Sequence, residues 1–324
     1  MFTHKDIENR TIFVVNCIDK RNLRVSAGEM LLEEETDEGT KTLTKLPFQK
    51  ILALFIVGHI SVTTPLIDKC KQYNVALVVV KPNLRPVFYW SAAAEANYLL
   101  RQKQYVFDKN DISIAKALML NKIHNQLRLL EKTRKKDELT NKAVFQCQEA
   151  LNVIQQVADY NQLMGVEGCM AKAFFAAYFQ ELGWKSRMPR AKTDALNATL
   201  DIGYTILFNF VECFVRMFGF DIYVGVYHRL WFKRKSLICD LVEPFRCIID
   251  NTVRTAFNRR QCTDKDFSVE KGEYRLKREK NANYHRMFFD ALVLHKIEIF
   301  KFIQSYYRCF MRERPTTDYP KFLI

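Results

Sequence analysis

Near residue 92 the chain changes its periodicity, and two periodicities of this kind ask for two cores. From Thr11 to about Phe88 the text consists of short runs rich in β-branched residues. RTIFVVNCI, LRVSAGEMLLEE and VALVVVK are separated by charged or Asn/Asp/Gly turns. One helix interrupts them: TTPLIDKCKQYN offers Thr64 as N-cap and Pro65 at the first helical position, where a missing N–H costs nothing. From Ala92 onward, AAAEANYLLRQKQYVFD carries strong helix formers and no alternation. DISIAKALMLNKIHNQLRLLEK then spaces Ile112, Ala115, Leu118, Ile123, Leu127 and Leu130 on one helical face behind a capping Asp111. The remainder reads as helix with polar breaks at KKDELTNK, KSRMPRAK and RRQCTDKDFSVEKGEYRL, the last long enough for a short hairpin. The expected fold class is α+β: a small β-rich N-terminal domain over residues 1–92, a linker and helix start over 93–107, and a larger all-α C-terminal domain over 108–324.

Composition narrows the class. With 324 residues and 48% hydrophobic content the chain has ample material for packed cores. No uninterrupted apolar stretch reaches the roughly 18 residues of a membrane span, and MFTHKDIENR is charged where a signal peptide turns apolar. A cytoplasmic protein without a membrane partner is expected. The nine cysteines are odd in number, lack a Cys-x-x-Cys pair and mostly sit in apolar runs, so they read as reduced core thiols rather than a zinc cluster. A net charge of +14 suggests a polyanionic partner. The basic residues do not gather on one amphipathic helix, which favours nucleic acid over an acidic membrane surface.

Only ten glycines occur, with no G-x-x-x-x-G-K-[ST] and no G-x-G-x-x-G after a strand, so no nucleotide cofactor is expected. A G-x-S-x-G elbow and an H-E-x-x-H motif are also absent. What remains is acidic. In SLICDLVEPFR, Ser236 is a candidate N-cap, and Asp240 and Glu243, three apart, project from one face of an apolar helix. Pro244 removes the donor that would bond the Asp240 carbonyl and disfavours helical geometry at Glu243, which predicts a kink beside both carboxylates. Taken alone, the pair reads first as a structural network with Arg229, Lys233, Arg234, Arg246 or other cations. In LMGVEGCMAKAFFAAYF a single carboxylate, Glu167, is expected in the first turn of a small-residue helix, flanked by Gly165 and Gly168. It reads either as a capping group or as a site where a phosphate comes close. His228 stands where the aromatic run FDIYVGVYH meets the basic run RLWFKRK.

In order, GVEG, TDALNATLDIGYTIL and GVYH…SLICDLVEPFRCIID closely resemble the integrase of CRISPR adaptation systems, which inserts new spacers into a repeat array. LPFQKILALFIVGHISVTTPLIDKCKQYNVALVVV is similar to that family's β-domain, and the resemblance covers essentially the whole chain. It implies a metal-dependent DNA endonuclease and integrase with Mg²⁺ or Mn²⁺ held by Glu167, His228 and Glu243, and with Asp240 catalytic beside them. Asn197 and Tyr204 match a helix of positioning residues. Many members have Asp where this chain has Glu243; Cys247 stands where Pro often follows Phe-Arg, and Tyr227 where Leu precedes the histidine. The resemblance also implies a homodimer through the β-domains, bridged by a small CRISPR adaptor protein dimer, acting on spacer-precursor DNA and the repeat array.

The residue types suit that chemistry. Exchange of one phosphodiester for another needs no nucleotide fuel, but it needs charge stabilisation at phosphorus and a more acidic attacking hydroxyl. Two carboxylates and an imidazole suit Mn²⁺ well and Mg²⁺ acceptably. Lys185, Arg187, Arg190 and Lys192 in one loop, Arg229, Lys233, Arg234 and Lys235 in another, and Arg254, Arg259 and Arg260 in a third could neutralise phosphates without reading bases. Two rival readings stand beside this one: a non-catalytic architectural DNA-binding subunit, and a stand-alone structure-selective nuclease.

Overall fold

ILALFIVG, eight apolar residues without alternation, can only be satisfied by cover on both faces, and in the structure, a computed structural model, every one of them is buried. The structure describes residues 4–17, 21–91, 96–189 and 191–324. After helix α1 (His4–Asn9) come strands β1 (Thr11–Cys17), β2 (Arg21–Ser26), β3 (Glu29–Thr36), β4 (Gly39–Pro47) and β5 (Ile51–Gly58), then α2 (Thr64–Gln72), β6 (Ala76–Val80) and β7 (Pro86–Trp90). Strand β5 is flanked by parallel β1 and β6, and antiparallel β7 completes the order β1-β5-β6-β7. Strands β2, β3 and β4 form a second, antiparallel sheet.

LRVSAGEMLLEE, one run in the sequence reading, is a hairpin. Ala27 and Gly28 both take positive φ, 49° and 79°, the combination that lets a two-residue loop match the twist of its strands. Met30, Phe48, Ile51, Leu54, Ile56, Leu66, Cys70 and Leu77 make the core here. Helix α2 is capped by Thr63 rather than Thr64, with Pro65 inside its first turn.

Helices α3 (Tyr98–Val106), α4 (Ser113–Glu131), α5 (Glu138–Gln156), α6 (Tyr160–Tyr178), α7 (Ala195–Phe218), α8 (Ser236–Val242) and α9 (Arg246–Asn258) follow. A hairpin, β8 (Phe267–Glu270) and β9 (Glu273–Leu276), precedes α10 (Asn281–Leu294) and α11 (Lys296–Met311). The hairpin turns on Lys271 and Gly272, again both at positive φ, so the C-terminal part is helical with one β-hairpin rather than all-α. Ile112, Ala115, Leu118, Ile123, Leu127 and Leu130 are all buried. Asp111 Oδ1 accepts from the Ser113 amide at 2.8 Å, one residue ahead of the formal cap.

The chain forms two compact units, Met1–Arg101 with Glu212–Phe220, and Gln102–Val211 with Asp221–Ile324. The end of α7 joins the first unit through Asn97, whose side chain donates to the Phe218 carbonyl at 2.9 Å, and through Arg216, which lies 4.8 Å over the Tyr89 ring. Helix α7 is long and apolar enough to cross a membrane by length and composition, but 72% of its most apolar 18-residue window is buried inside the protein. Its middle packs tightly: a Cβ on Gly203 would lie 2.5 Å from Ile249 Cγ2 and 2.6 Å from Phe288 Cε1, which only glycine avoids. All nine cysteines are free, seven of them buried, and burial pushes the Cys70 and Cys147 thiols up to about 12.

Candidate active site

Helix α4 carries a stripe of buried polar side chains, Asn121, Lys122, Asn125 and Gln126, in the middle of an apolar face. Buried polar groups need partners, and Asn121, Lys122 and Asn125 find them in the C-terminal segment and in the region from α6 to α9, while Gln126 Oε1 has no hydrogen-bond partner. Asn121 Nδ2 donates to the Phe322 carbonyl at 2.7 Å while its Oδ1 accepts from the Phe322 amide at 2.9 Å. Asn125 Nδ2 donates to the carbonyls of Phe322 and Pro244, both at 2.9 Å, which fixes the backbone next to Glu243.

Lys122, between these two asparagines, places its Nζ 2.6 Å from Glu167 Oε1 and 2.6 Å from Glu243 Oε2. Glu243 is also 3.2 Å from Arg246 Nη1, and Glu167 Oε2 accepts from the Tyr227 hydroxyl at 2.5 Å. Burial alone would raise both carboxyl pKa values, but the Lys122 ammonium outweighs it. Glu243, with Arg246 adding to the pull, is held down to about 2, and Glu167 is held below the ordinary carboxylate range. Glu167 lies in the middle of α6, not in its first turn: the cap is Asp159, which accepts from the amides of Asn161 and Gln162. A capping role for Glu167 is thereby removed. No protein atom comes within 4 Å of a Cβ built on Gly165 or Gly168, so that face beside Glu167 is open.

The kink at Pro244 takes a particular form. Glu243 keeps helical angles, φ −56° and ψ −44°, contrary to the expectation from its place before proline. Its amide closes a tighter bond to the Asp240 carbonyl, substituting for the donor that Pro244 lacks. A single 3₁₀ turn over Glu243–Phe245 then leads into α9.

His228 is held by Asp240. The Asp240 carboxylate is fully buried: Oδ1 lies 2.7 Å from His228 Nδ1 and accepts from the His228 amide at 2.8 Å. Its Oδ2 accepts from the amides of Val226 and Tyr227 at 2.7 and 3.1 Å. Four donors on one carboxylate fold the GVYH segment around Asp240, so this residue positions the histidine. Gly225 is required there, since a Cβ would lie 2.4 Å from Asp240 Oδ2 and 2.9 Å from the Ser236 carbonyl carbon. Ser236 is the first residue of α8 rather than its cap, and its hydroxyl donates to the Arg229 carbonyl at 3.2 Å.

Asn197 and Tyr204 support this arrangement from α7. The Asn197 side chain accepts from Arg187 Nη1 and the Met188 amide and donates to the Ser186 carbonyl, so it clamps the preceding loop. The Tyr204 hydroxyl donates to Asp250, and the Arg246 guanidinium lies 4.2 Å over the Tyr204 ring on its way to Glu243.

The sequence model of the family described as CRISPR associated protein Cas1 matches residues 18–289. The chain belongs to the Cas1 family. A relative named CRISPR-associated endonuclease Cas1 1, from Thermodesulfovibrio yellowstonii, is 26% identical over 259 residues, which covers 75% of this chain and 80% of the relative. Among solved structures, one described as a Cas6-RT-Cas1--Cas2 complex aligns with a TM-score of 0.76 at 18% identity. It covers 97% of this chain and 36% of that longer one, so this chain corresponds to part of it. A casposase bound to integration product aligns with a TM-score of 0.75 at 18% identity, over 94% of this chain and 91% of that one. These likenesses give the Cas1 fold to the architecture above.

Within this Cas1 chain the residues named from the sequence divide. Glu167 and Glu243 meet at one point, and His228 bears on Glu243 electrostatically, helping to hold its carboxyl down. No three His, Cys, Asp or Glu side chains among the described residues are gathered as a metal-binding group; the cation between the two glutamates is Lys122. Arg187 is committed to Asn197 and to Asp201, at 2.9 and 2.5 Å, and Arg254 to Glu181 and the Tyr178 ring, so neither guanidinium is a free phosphate contact. Lys185, Arg229, Lys233, Arg234, Arg259 and Arg260 are exposed; Lys192 and Lys235 are half-buried; Arg190 lies outside the described residues. Lys122 was missed by sequence reasoning, although its spacing from Asn121, Asn125 and Gln126 marks one stripe on a helix.

Proposed function

We propose that this chain is a divalent-metal-dependent DNA endonuclease and integrase of CRISPR adaptation, joining a DNA 3′-hydroxyl to a phosphodiester of a repeat array. The observation that carries this reading is the convergence of two carboxylates, Glu243 buried and Glu167 half-buried, on the Lys122 ammonium, together with a histidine whose Nδ1 is already anchored. Family membership and the likeness to a casposase bound to integration product support it.

The donor set fits a hard or borderline divalent ion. Glu167 and Glu243 supply anionic oxygens, and Asp240 Oδ1 accepts the hydrogen bond of a proton kept on His228 Nδ1, which leaves the Nε2 lone pair free as in carboxylate–histidine metal sites. Glu167, His228 and Glu243 would hold Mg²⁺ or Mn²⁺ there. When bound, the ion neutralises charge on the phosphorus oxygens and acidifies the attacking hydroxyl. Tyr227 orients Glu167 through its hydroxyl, Arg246 orients Glu243, and Asn125 fixes the Pro244 carbonyl behind it. Exposed Lys185, Arg229, Lys233, Arg234, Arg259 and Arg260 would bind phosphates, with Lys192 and Lys235 as half-buried contributors. The partners of this reading are spacer-precursor DNA, a second copy of the chain, and a small adaptor dimer. The Cas2 in the related Cas6-RT-Cas1--Cas2 complex supports the last.

The test is strand transfer by the purified chain with Mn²⁺, using DNA with free 3′ ends and a repeat-bearing supercoiled plasmid. Joined product that disappears with EDTA and in His228→Ala, while DNA affinity survives, is the expected result. The architectural reading draws on the Lys122 pairing, which satisfies both carboxylates without metal; unchanged joining in His228→Ala would leave that reading standing. Cut ends without joined DNA would indicate the stand-alone nuclease.

A further inference from the structure

Between α4, the end of α5 and the segment after α11 lies a cavity of about 660 Å³, all of it within the second compact unit. That volume takes a small organic molecule. Asn121 lines it, and the catalytic reading above leaves it without a use. Its shape is set in advance of any ligand: Asn121 bonds both the amide and the carbonyl of Phe322, so the C-terminal wall is already fastened to α4.

The lining is of two kinds. Leu120 and Leu151 from the two helices, with Tyr319 and Pro320 from the C-terminal segment, make apolar walls. Lys116, His124 and Lys321 are basic, and among the described residues that line the cavity none is acidic. The neighbouring carboxylate, Asp318, is outside the lining and accepts from the Thr317 hydroxyl at 3.4 Å. Lys116 is half-buried, and its ammonium is steadied by the Gln155 carbonyl at 3.3 Å. Cations without a counter-anion select an anion, and the walls around them select one with a flat, weakly polar body. A nucleotide joins these two halves in one molecule. No Gly-rich phosphate loop occurs in the chain, so ammonium groups are its means of holding a small phosphate here.

We propose that this cavity binds a nucleoside monophosphate, with Lys116 and Lys321 taking the phosphate and Leu120, Leu151 and Tyr319 the base. The bound molecule bridges α4, α5 and the C-terminal segment, and stabilises the fold by its own binding free energy. Asn125 bonds the same Phe322 carbonyl together with the Pro244 carbonyl next to Glu243, so the segment that the ligand fastens is the one that braces the candidate active site. The binding is independent of the proposed DNA-joining function and is measured without DNA or metal.

The experiment titrates the full chain, in EDTA, with thymidine 5′-monophosphate, with thymidine and with inorganic phosphate, by calorimetry. Expected is one site for the monophosphate, with thymidine and inorganic phosphate each bound about tenfold or more weakly, because each lacks one half of the recognised chemistry. Lys116→Gln/Lys321→Gln should weaken the monophosphate by about tenfold or more. Leu151→Trp should block it by filling the cavity with the charge unchanged. Lys41→Gln/Lys81→Gln, which takes the same charge from exposed positions in the first unit, should leave its affinity within about twofold, and so separates the cavity from the general attraction of a basic chain for phosphate. Amide exchange over residues 316–324 should slow on saturation. Thermal unfolding without ligand identifies a cavity variant that fails to fold, and the other then decides. Absence of saturable binding at millimolar monophosphate, affinity for thymidine or inorganic phosphate equal to that for the monophosphate, or affinity unchanged in the folded cavity variants overturns the proposal.

Discussion

His228 Nδ1 and Asp240 Oδ1 lie 2.7 Å apart, and the same carboxylate also receives three consecutive backbone amides, those of Val226, Tyr227 and His228. One buried anion therefore sets both the path of the chain and the tautomer of the ring. Asp240→Asn places an amide NH₂ where donors already point, so one side of the cradle must open. The expected outcome is a loss of about 10-fold to 100-fold in joining, with DNA affinity retained. Unfolding in urea should show destabilisation of about 1–3 kcal/mol. The ¹⁵N shifts of the His228 ring should move toward a mixed tautomer, a signature that simple loosening of the fold does not give.

Gly225 is predicted to tolerate no side chain. A Cβ there falls inside contact distance of both the Asp240 carboxylate and the Ser236 backbone, and the first of these cannot retreat without leaving its amides. Gly225→Ala should mimic Asp240→Asn in activity and add an overpacking cost of about 1–3 kcal/mol. Gly165→Ala, which meets nothing within 4 Å, should by contrast leave stability unchanged or raise it, since alanine is the better helix former. Equal effects of the two substitutions in thermal unfolding would contradict this account.

The buried Lys122 ammonium pairs with two glutamates at once, 2.6 Å from each. Lys122→Met keeps the volume of the stem but leaves Glu167 and the buried Glu243 facing each other with the Tyr227 hydroxyl and Arg246 as their remaining partners, at a cost of about 3–5 kcal/mol for breaking a buried ion pair. The metal-free variant should melt well below the wild type. A divalent ion held by Glu167 and Glu243 would then replace the missing charge, so Mn²⁺ should raise the melting temperature of Lys122→Met by more than it raises that of the wild type. A Mn²⁺-induced shift equal in both proteins would mean that the ion does not bind where Lys122 points.

Much of this site was legible in the sequence because its signals are local. The Asp-x-x-Glu-Pro spacing, the glycine three residues before His228 and the apolar face of α4 each fit within one or two helical turns. What was not legible depends on distant partners. Lys122 reads as the solvated edge of an amphipathic helix until the Phe322 backbone and the Glu167 and Glu243 carboxylates are placed against it. The run LMGVEGCMAKAFFAAYF places Glu167 in a first turn, whereas Asp159 starts α6 earlier and the glycine penalty of about 1 kcal/mol each is absorbed within the helix. The membership of Glu212–Phe220 in the first unit rests on long-range contacts to Asn97, Arg101 and Tyr89, which no periodicity in α7 announces.

Two buried groups outside the glutamate pair make an acid-range prediction in which opposite slopes meet. Burial raises Asp250 to about 6 despite the hydrogen bond from Tyr204, and burial lowers His285 to about 4, with its Nδ1 lacking a hydrogen-bond partner. The folded state holds the Asp250 proton more tightly than the unfolded chain, so this residue's contribution is full below its unfolded value near 4 and is lost as pH rises through about 6. His285 behaves in the reverse sense: the unfolded chain takes the proton first, so its contribution is full above about 6.5 and is lost as pH falls through about 4. Each amounts to about 2 kcal/mol between roughly pH 4 and pH 6, and in the wild type the two nearly cancel. His285→Leu should therefore uncover a decline in stability with rising pH across this window, and Asp250→Asn a rise. Urea unfolding of both variants at the two ends of the window decides it, and parallel curves for wild type and both variants would show that neither group titrates differently on folding.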